Sequence, residues 1–194
     1  MQAPFTHPLL DVHGGFAHRP GYYAKLAWQP PLPVRVELFH YDNRADPEDW
    51  NEENEWGWRT RFNNLGLAAD LGPGTSLKAQ AMQGRTRMGY AVDGRRWIDN
   101  RFHSGLAMLT HAFGPVGVTV RGEAFGTRNR GSDVGKDYDD SGWSAMVAAK
   151  RDWRHFTGLV ELLHVSSTRE DREEVGLRPR QRQTQLQAEV RTNW

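Results

Sequence analysis

The chain has 194 residues with 25 Lys+Arg against 24 Asp+Glu, a formal charge of +1, and without a strong basic excess a nucleic-acid partner is disfavoured. Cysteine is absent, which excludes disulfides, thiolate metal ligation and thiol catalysis. Mean hydropathy is −0.74, and no run of apolar residues is long enough for a transmembrane helix.

Read in chain order, hydrophobicity alternates with period two almost throughout, the pattern of strands whose faces meet different environments. Nine strands are predicted, at 22–29, 34–42, 55–71, 75–88, 98–113, 116–127, 141–151, 155–168 and 182–194. Val34-Arg35-Val36-Glu37-Leu38 alternates cleanly, as does Leu77-Lys78-Ala79-Gln80-Ala81. Asn63-Asn64-Leu65-Gly66 predicts a bulge or register shift inside the third strand. Phe156 to Val165 is apolar on both faces. The last strand is the clearest: Thr184, Leu186, Ala188, Val190, Thr192 and Trp194 form one face, and Gln183, Gln185, Gln187, Glu189, Arg191 and Asn193 the other.

The connections at 30–33, 72–74, 114–115 and 152–154 are short, and those at 42–54, 89–97, 128–140 and 169–180 are long. Strict alternation of short and long is the layout of an antiparallel up-and-down transmembrane barrel, with short periplasmic turns and long extracellular loops. The aromatics sort accordingly. Tyr22, Trp56, Trp58, Trp97, Phe102, Phe125 and Trp143 lie near the long-loop ends, and Trp28, Phe113, Trp153, Phe156 and Trp194 near the short-turn ends. Two such belts are what the two interfaces of a bilayer select.

If the apolar face meets lipid, the other face lines a lumen. It is expected to carry Lys25, Arg35, Glu37, Arg59, Arg61, Lys78, Gln80, Arg101, Arg121, Glu123, Gln187, Glu189 and Arg191. Most of these charges are expected to pair across strands and brace the wall. The excess of cations, eight against Glu37, Glu123 and Glu189, implies a weak anion preference. No enzyme signature is present: there is no HExxH, GxSxG, Walker loop or GxGxxG, so no catalytic residue, metal or cofactor is expected. Asp137-Tyr138-Asp139-Asp140-Ser141-Gly142 resembles the start of a calcium loop, but Ala148 stands where the closing acid belongs. Asp46, Glu48, Asp49, Glu52 and Glu53 make an acidic, solvated loop.

Leu186-Gln187-Ala188-Glu189-Val190-Arg191-Thr192-Asn193-Trp194 resembles the carboxy-terminal assembly signal of Gram-negative outer-membrane proteins, an alternating strand ending in an aromatic residue. Leu186, Ala188, Val190, Thr192 and Trp194 carry the match, with Trp194 where Phe is usual and Thr192 where Tyr is frequent. More widely, from about Gly21 to Trp194, the chain resembles porin-like proteins of proteobacteria, loosely related to the phosphate-selective porins. His40-Tyr41-Asp42-Asn43-Arg44-Ala45-Asp46-Pro47, Trp58-Arg59-Thr60-Arg61-Phe62 and Lys78-Ala79-Gln80-Ala81-Met82-Gln83-Gly84 bear that likeness. The resemblance implies an outer-membrane location and contact with lipid and lipopolysaccharide. It also implies folding by the barrel assembly machinery, a homotrimer, and small hydrophilic solutes as cargo. Only Lys25, Lys78, Lys136 and Lys150 are lysines, so a phosphate-selective lysine ladder is not implied.

Complete bacterial barrels have an even strand number and begin in the periplasm. Nine strands, a start on the long-loop side and no signal-peptide pattern at Met1-Gln2-Ala3-Pro4-Phe5 lead to the expectation of a carboxy-terminal portion. Residues 22–194 are then part of the barrel, and 1–21 an extracellular loop or truncated upstream segment. Three readings follow: a passive-diffusion porin, a non-conducting structural or receptor barrel, and a soluble β-sheet binding domain. The loop alternation and the aromatic belts argue against the third.

Overall fold

A computed structural model describes residues 20–50, 55–132 and 138–192. They form one sheet of β1 (Tyr22–Trp28), β2 (Val34–Asp42), β3 (Arg59–Gly72), β4 (Thr75–Val92), β5 (Arg95–Phe113), β6 (Val116–Asn129), β7 (Tyr138–Asp152), β8 (Phe156–Thr168) and β9 (Arg180–Thr192). Each strand pairs antiparallel with its neighbours in the chain, and sheet order is chain order. The fold is an up-and-down meander. Among the described residues it is open: β1 and β9 each pair on one side only. Residues 1–19 and Trp194 lie outside the described residues, and with them most of the expected amino-terminal segment and the terminal aromatic.

Three local expectations are corrected. The predicted irregularity at Asn63 to Gly66 is absent, and β3 runs there in unbroken register with both neighbours. Both asparagines find polar partners without leaving the ladder. Asn63 Oδ1 lies 2.7 Å from His40 Nδ1 on one face, and Asn64 Oδ1 accepts from Gln80 Nε2 at 2.8 Å on the other. The register shifts fall instead between Asp70 and Gly72 and between Met88 and Ala91.

The expected long connection at 89–97 is a continuation of β4 and β5 into a ribbon closed by Asp93-Gly94. Both turn residues have positive φ, 51° and 78°, the backbone of a type I′ hairpin, for which Asp-Gly is a preferred pair. The alternation of short and long connections therefore breaks at this point. Finally, β3 begins at Arg59, because Trp56 instead bridges Trp50 within the β2–β3 connection.

The β8–β9 connection folds into a 3-10 turn, Glu170–Val175, ended by Gly176 at φ 74°. It docks on β7, where the buried Tyr138 donates its hydroxyl to Glu174. The β2–β3 connection in turn lies against the outer ends of β4 and β5, with Trp56 on Tyr90 and Trp97 and the Gly89 N–H donating to the Pro47 carbonyl at 2.6 Å. Among the described residues no large side chain is fully buried, and apart from glycines the buried apolar residues are Ala45, Pro47, Tyr138 and Ala148. A soluble domain of this length would bury a core; this sheet is a single layer with both faces available.

Candidate functional site

Residues directly opposite in an antiparallel register share a face, so the pairing assigns every strand residue. One row crosses eight strands: Val34, Ala69, Leu77, Leu109, Val120, Val147, Leu162 and Leu186. All eight are aliphatic. The row nearer the long connections runs Leu38, Leu65, Ala81, Gly105, Ala124 and Trp143. From β5 to β9 the first row is open to the surroundings, with Leu109 39% exposed, Val120 46%, Leu162 44% and Leu186 71%, whereas Val34, Ala69 and Leu77 are half-buried. The opposite face is the more covered one. In β7, Ser144 and Ala148 are buried while Ala145, Val147 and Ala149 between them are exposed. That is the exposure pattern of a sheet curled around its polar face.

Of the residues predicted for the polar face, Lys25, Arg35, Glu37, Lys78, Arg121, Glu123, Glu189 and Arg191 lie there together. Arg35, Lys78 and Arg121 share one row and Glu37, Gln80 and Glu123 the next. Several are braced. Lys25 Nζ lies 3.1 Å from Glu37 Oε2, Arg35 donates to the same carboxylate at 2.5 Å, and Arg191 Nε donates to Glu189 at 2.5 Å. Ser144 Oγ donates to Glu123 at 3.3 Å.

Arg59, Arg61 and Arg101 are on the other face, in line with Leu65, Leu67 and Ala107. Without them the expected cation excess disappears. Below the projecting β4–β5 ribbon, Lys25, Arg35, Lys78, Arg121, Lys150 and Arg191 stand against Glu37, Asp70, Glu123, Asp140, Asp152, Glu161 and Glu189.

The aromatics also divide by face. Trp28, Phe113 and Phe156 end the apolar face on the short-turn side, with Trp153 stacked on Phe156 at 4.7 Å. Tyr22 and Trp143 lie on the same face nearer the long connections. Phe102 and Phe125 belong to the polar face, and each ring covers the glycine opposite it, Gly84 or Gly142. They extend an inward aromatic group in which Phe39, Tyr41 and Phe62 meet at 5.2–5.7 Å. Trp56 packs edge-on against Tyr90 and Trp97 in the long-connection region. In the acidic loop Asp46 Oδ1 accepts the Glu48 N–H and Glu48 pairs with Arg96 at 2.7 Å, while Glu52 and Glu53 lie outside the described residues.

The sequence reading missed a double row of arginines on the apolar face, above the aliphatic band. Asp42, Arg61, Arg85, Arg101, Arg128 and Asp139 are successive partners across six strands, β2 to β7. Arg59, Arg87 and Asp99 form the row beyond. The three carboxylates are engaged: Asp42 by Arg59 at 2.9 Å, Asp99 by both arms of Arg85, and Asp139 by Arg130 at 2.6 Å. Arg61, Arg87, Arg101 and Arg128 have no carboxylate partner among the described residues.

Besides Arg59, the Arg44 N–H donates to the Asp42 carboxylate at 2.8 Å. Among the described residues no cluster of His, Asp or Glu is arranged to hold a metal ion. Comparison with protein-family models, curated proteins and solved structures gives no significant match.

Proposed function

We propose that this sheet is wall of an outer-membrane β-barrel through which small hydrophilic solutes diffuse passively. Its apolar face meets lipid and its polar face meets water. The observation that carries the reading is the aliphatic row across eight strands, exposed from β5 to β9 at Leu109, Val120, Val147, Leu162 and Leu186, where the polar face of β5 to β8 is the more covered one. Water penalises such a surface, whereas hydrocarbon accepts it and a polar lumen takes the charges.

The dimensions agree. On β5 the stretch from Gly105 to Phe113, whose lipid side is apolar except for His111, held by Thr75 at 2.7 Å, extends about 30 Å at ~3.4 Å per residue. At a tilt of ~40° it rises about 23 Å, close to the ~25 Å band of outer-membrane barrels. The short turns then face the periplasm and the long connections the exterior. Unpaired edge backbone is not stable in hydrocarbon, so β1 and β9 are paired in the membrane. No step of this function needs a catalytic residue, metal or cofactor. With acids and bases nearly balanced on the polar face, these strands give the lumen little ionic selectivity.

Refolding the full chain from denaturant into lipid vesicles tests the reading. Expected are heat-modifiable migration on a denaturing gel, protease protection, and vesicle permeability to small sugars. Folding to a stable soluble monomer without detergent would sink it. A folded, protected protein that passes no solute would move the assignment to a non-conducting structural or receptor barrel.

A further inference from the structure

The double row of arginines has no use in a wall whose charges serve a lumen, since it lies on the lipid side. Four arginines, Arg61, Arg85, Arg101 and Arg128, stand directly opposite one another on consecutive strands. Like charges in that arrangement are destabilising. Three carboxylates neutralise part of the set, each held by another arginine, so that Arg61, Arg87, Arg101 and Arg128 have none at ion-pair distance among the described residues, and Arg61, Arg101 and Arg128 are exposed. Arginine's planar fork binds phosphate oxygens in pairs.

Between the arginines and the aliphatic band runs a row of hydrogen-bonding side chains, His40, Asn63, Gln83 and His103. Below them a shallow apolar depression is floored by Ala107, Gly122 and Ala145. From one end of the face to the other the chemistry runs cation, hydroxyl-binding polar group, hydrocarbon. Arg61 and Arg128 are three strand spacings apart, about 14 Å at the usual ~4.8 Å. That is the reach of a disaccharide with a phosphate at each end.

Resting on the membrane reading above, we propose that Arg61, Arg87, Arg101 and Arg128 bind the phosphates of lipid A, the bis-phosphorylated glycolipid anchor of lipopolysaccharide. Its sugar hydroxyls meet the polar row and its acyl chains lie on the aliphatic band. The arginine end is the long-connection end, so the site faces the outer leaflet, where that lipid resides.

The test measures binding of purified lipid A to the full chain in detergent micelles. Monophosphoryl lipid A, phosphatidylglycerol and inorganic phosphate serve as comparison probes. Arg61→Gln/Arg101→Gln/Arg128→Gln is the test variant, and Arg151→Gln, a cation on the same face at the other end of the sheet, is the control. Lipid A binding is expected to weaken with salt, to fall at least about tenfold in the triple variant, to fall less for the monophosphoryl form, and to be unchanged in the control. The single Arg101→Gln and Arg101→Lys variants carry the same comparison if the triple variant folds poorly.

Equal affinity of wild type and variants overturns the proposal. So does equal binding of phosphatidylglycerol, which would make the rows a general anionic-lipid surface, or equal binding of free phosphate. A chain that inserts in vesicles but ignores the substitutions loses the site and keeps the barrel. A chain that stays soluble yet binds lipid A through these arginines keeps the site and loses the barrel.

Discussion

Asp42 is one of few buried charges in a molecule with almost no interior, and it ties β2 to the first residue of β3. Replacing it with Asn removes the negative charge and one of the two oxygens that accept from Arg59, and leaves that guanidinium beside Arg61 and Arg87. The expected cost is about 1–2 kcal/mol, the range for a partly exposed charged hydrogen bond, read as a lower denaturant midpoint in micelles. The face of each arginine was legible in the numbering. Arg59 and Arg61 share parity with Leu65 and Leu67, and Arg101 with Ala107 and Leu109. The expected bulge at Asn63 to Gly66 concealed this in β3, and treating every strand charge as inward concealed it in β5.

At the scale of elements, the strands were readable because alternation is their physical signature, and all nine lie where period two puts them, to within a few residues. The β4–β5 ribbon was missed because its turn, Asp93-Gly94, was absorbed into a loop. Gly94→Val places a β-branched residue at φ 78°, a strain of about 1–2 kcal/mol. Protease cleavage or hydrogen exchange should rise between 89 and 97, beyond the register shift, with heat-modifiability intact. Loss of the whole fold would mean that the ribbon nucleates the sheet.

The aromatic pairs give a sharper case. A Cβ on Gly84 would come 2.3 Å from the Phe102 ring and 2.7 Å from the Arg61 carbonyl oxygen. Gly84→Ala should lower folded yield severalfold, and Phe102→Leu added to it should restore the part of the loss due to the ring. No rescue would show that the glycine serves the backbone rather than the ring. That Phe102 and Phe125 point inward could not be told from their distance along a strand, which fixes depth and not side.

For the whole molecule, the meander was legible from nine alternating segments, and the openness of the sheet was not, because closure depends on edges rather than on pattern. Leu162 and Leu163 are adjacent in β8 and face opposite sides. Under the lipid-facing assignment Leu162→Arg should destabilise the protein in bilayers by about 2–4 kcal/mol, and Leu163→Arg much less. Equal costs, or the reverse order, would turn the sheet inside out. The odd strand count then acquires a meaning beyond size. β1 and β9 point the same way, so a seam joining them directly is parallel. A seam between two copies that matches like edge to like edge must be antiparallel, which inverts one copy. Inversion would carry the arginine rows of that copy to the opposite leaflet, so a two-copy ring of this kind has no inside–outside sense. The arginines thus act as a compass needle: any assembly that keeps them all at one surface must join β9 to a strand running opposite to it that is not its own twin, or else accept a parallel seam.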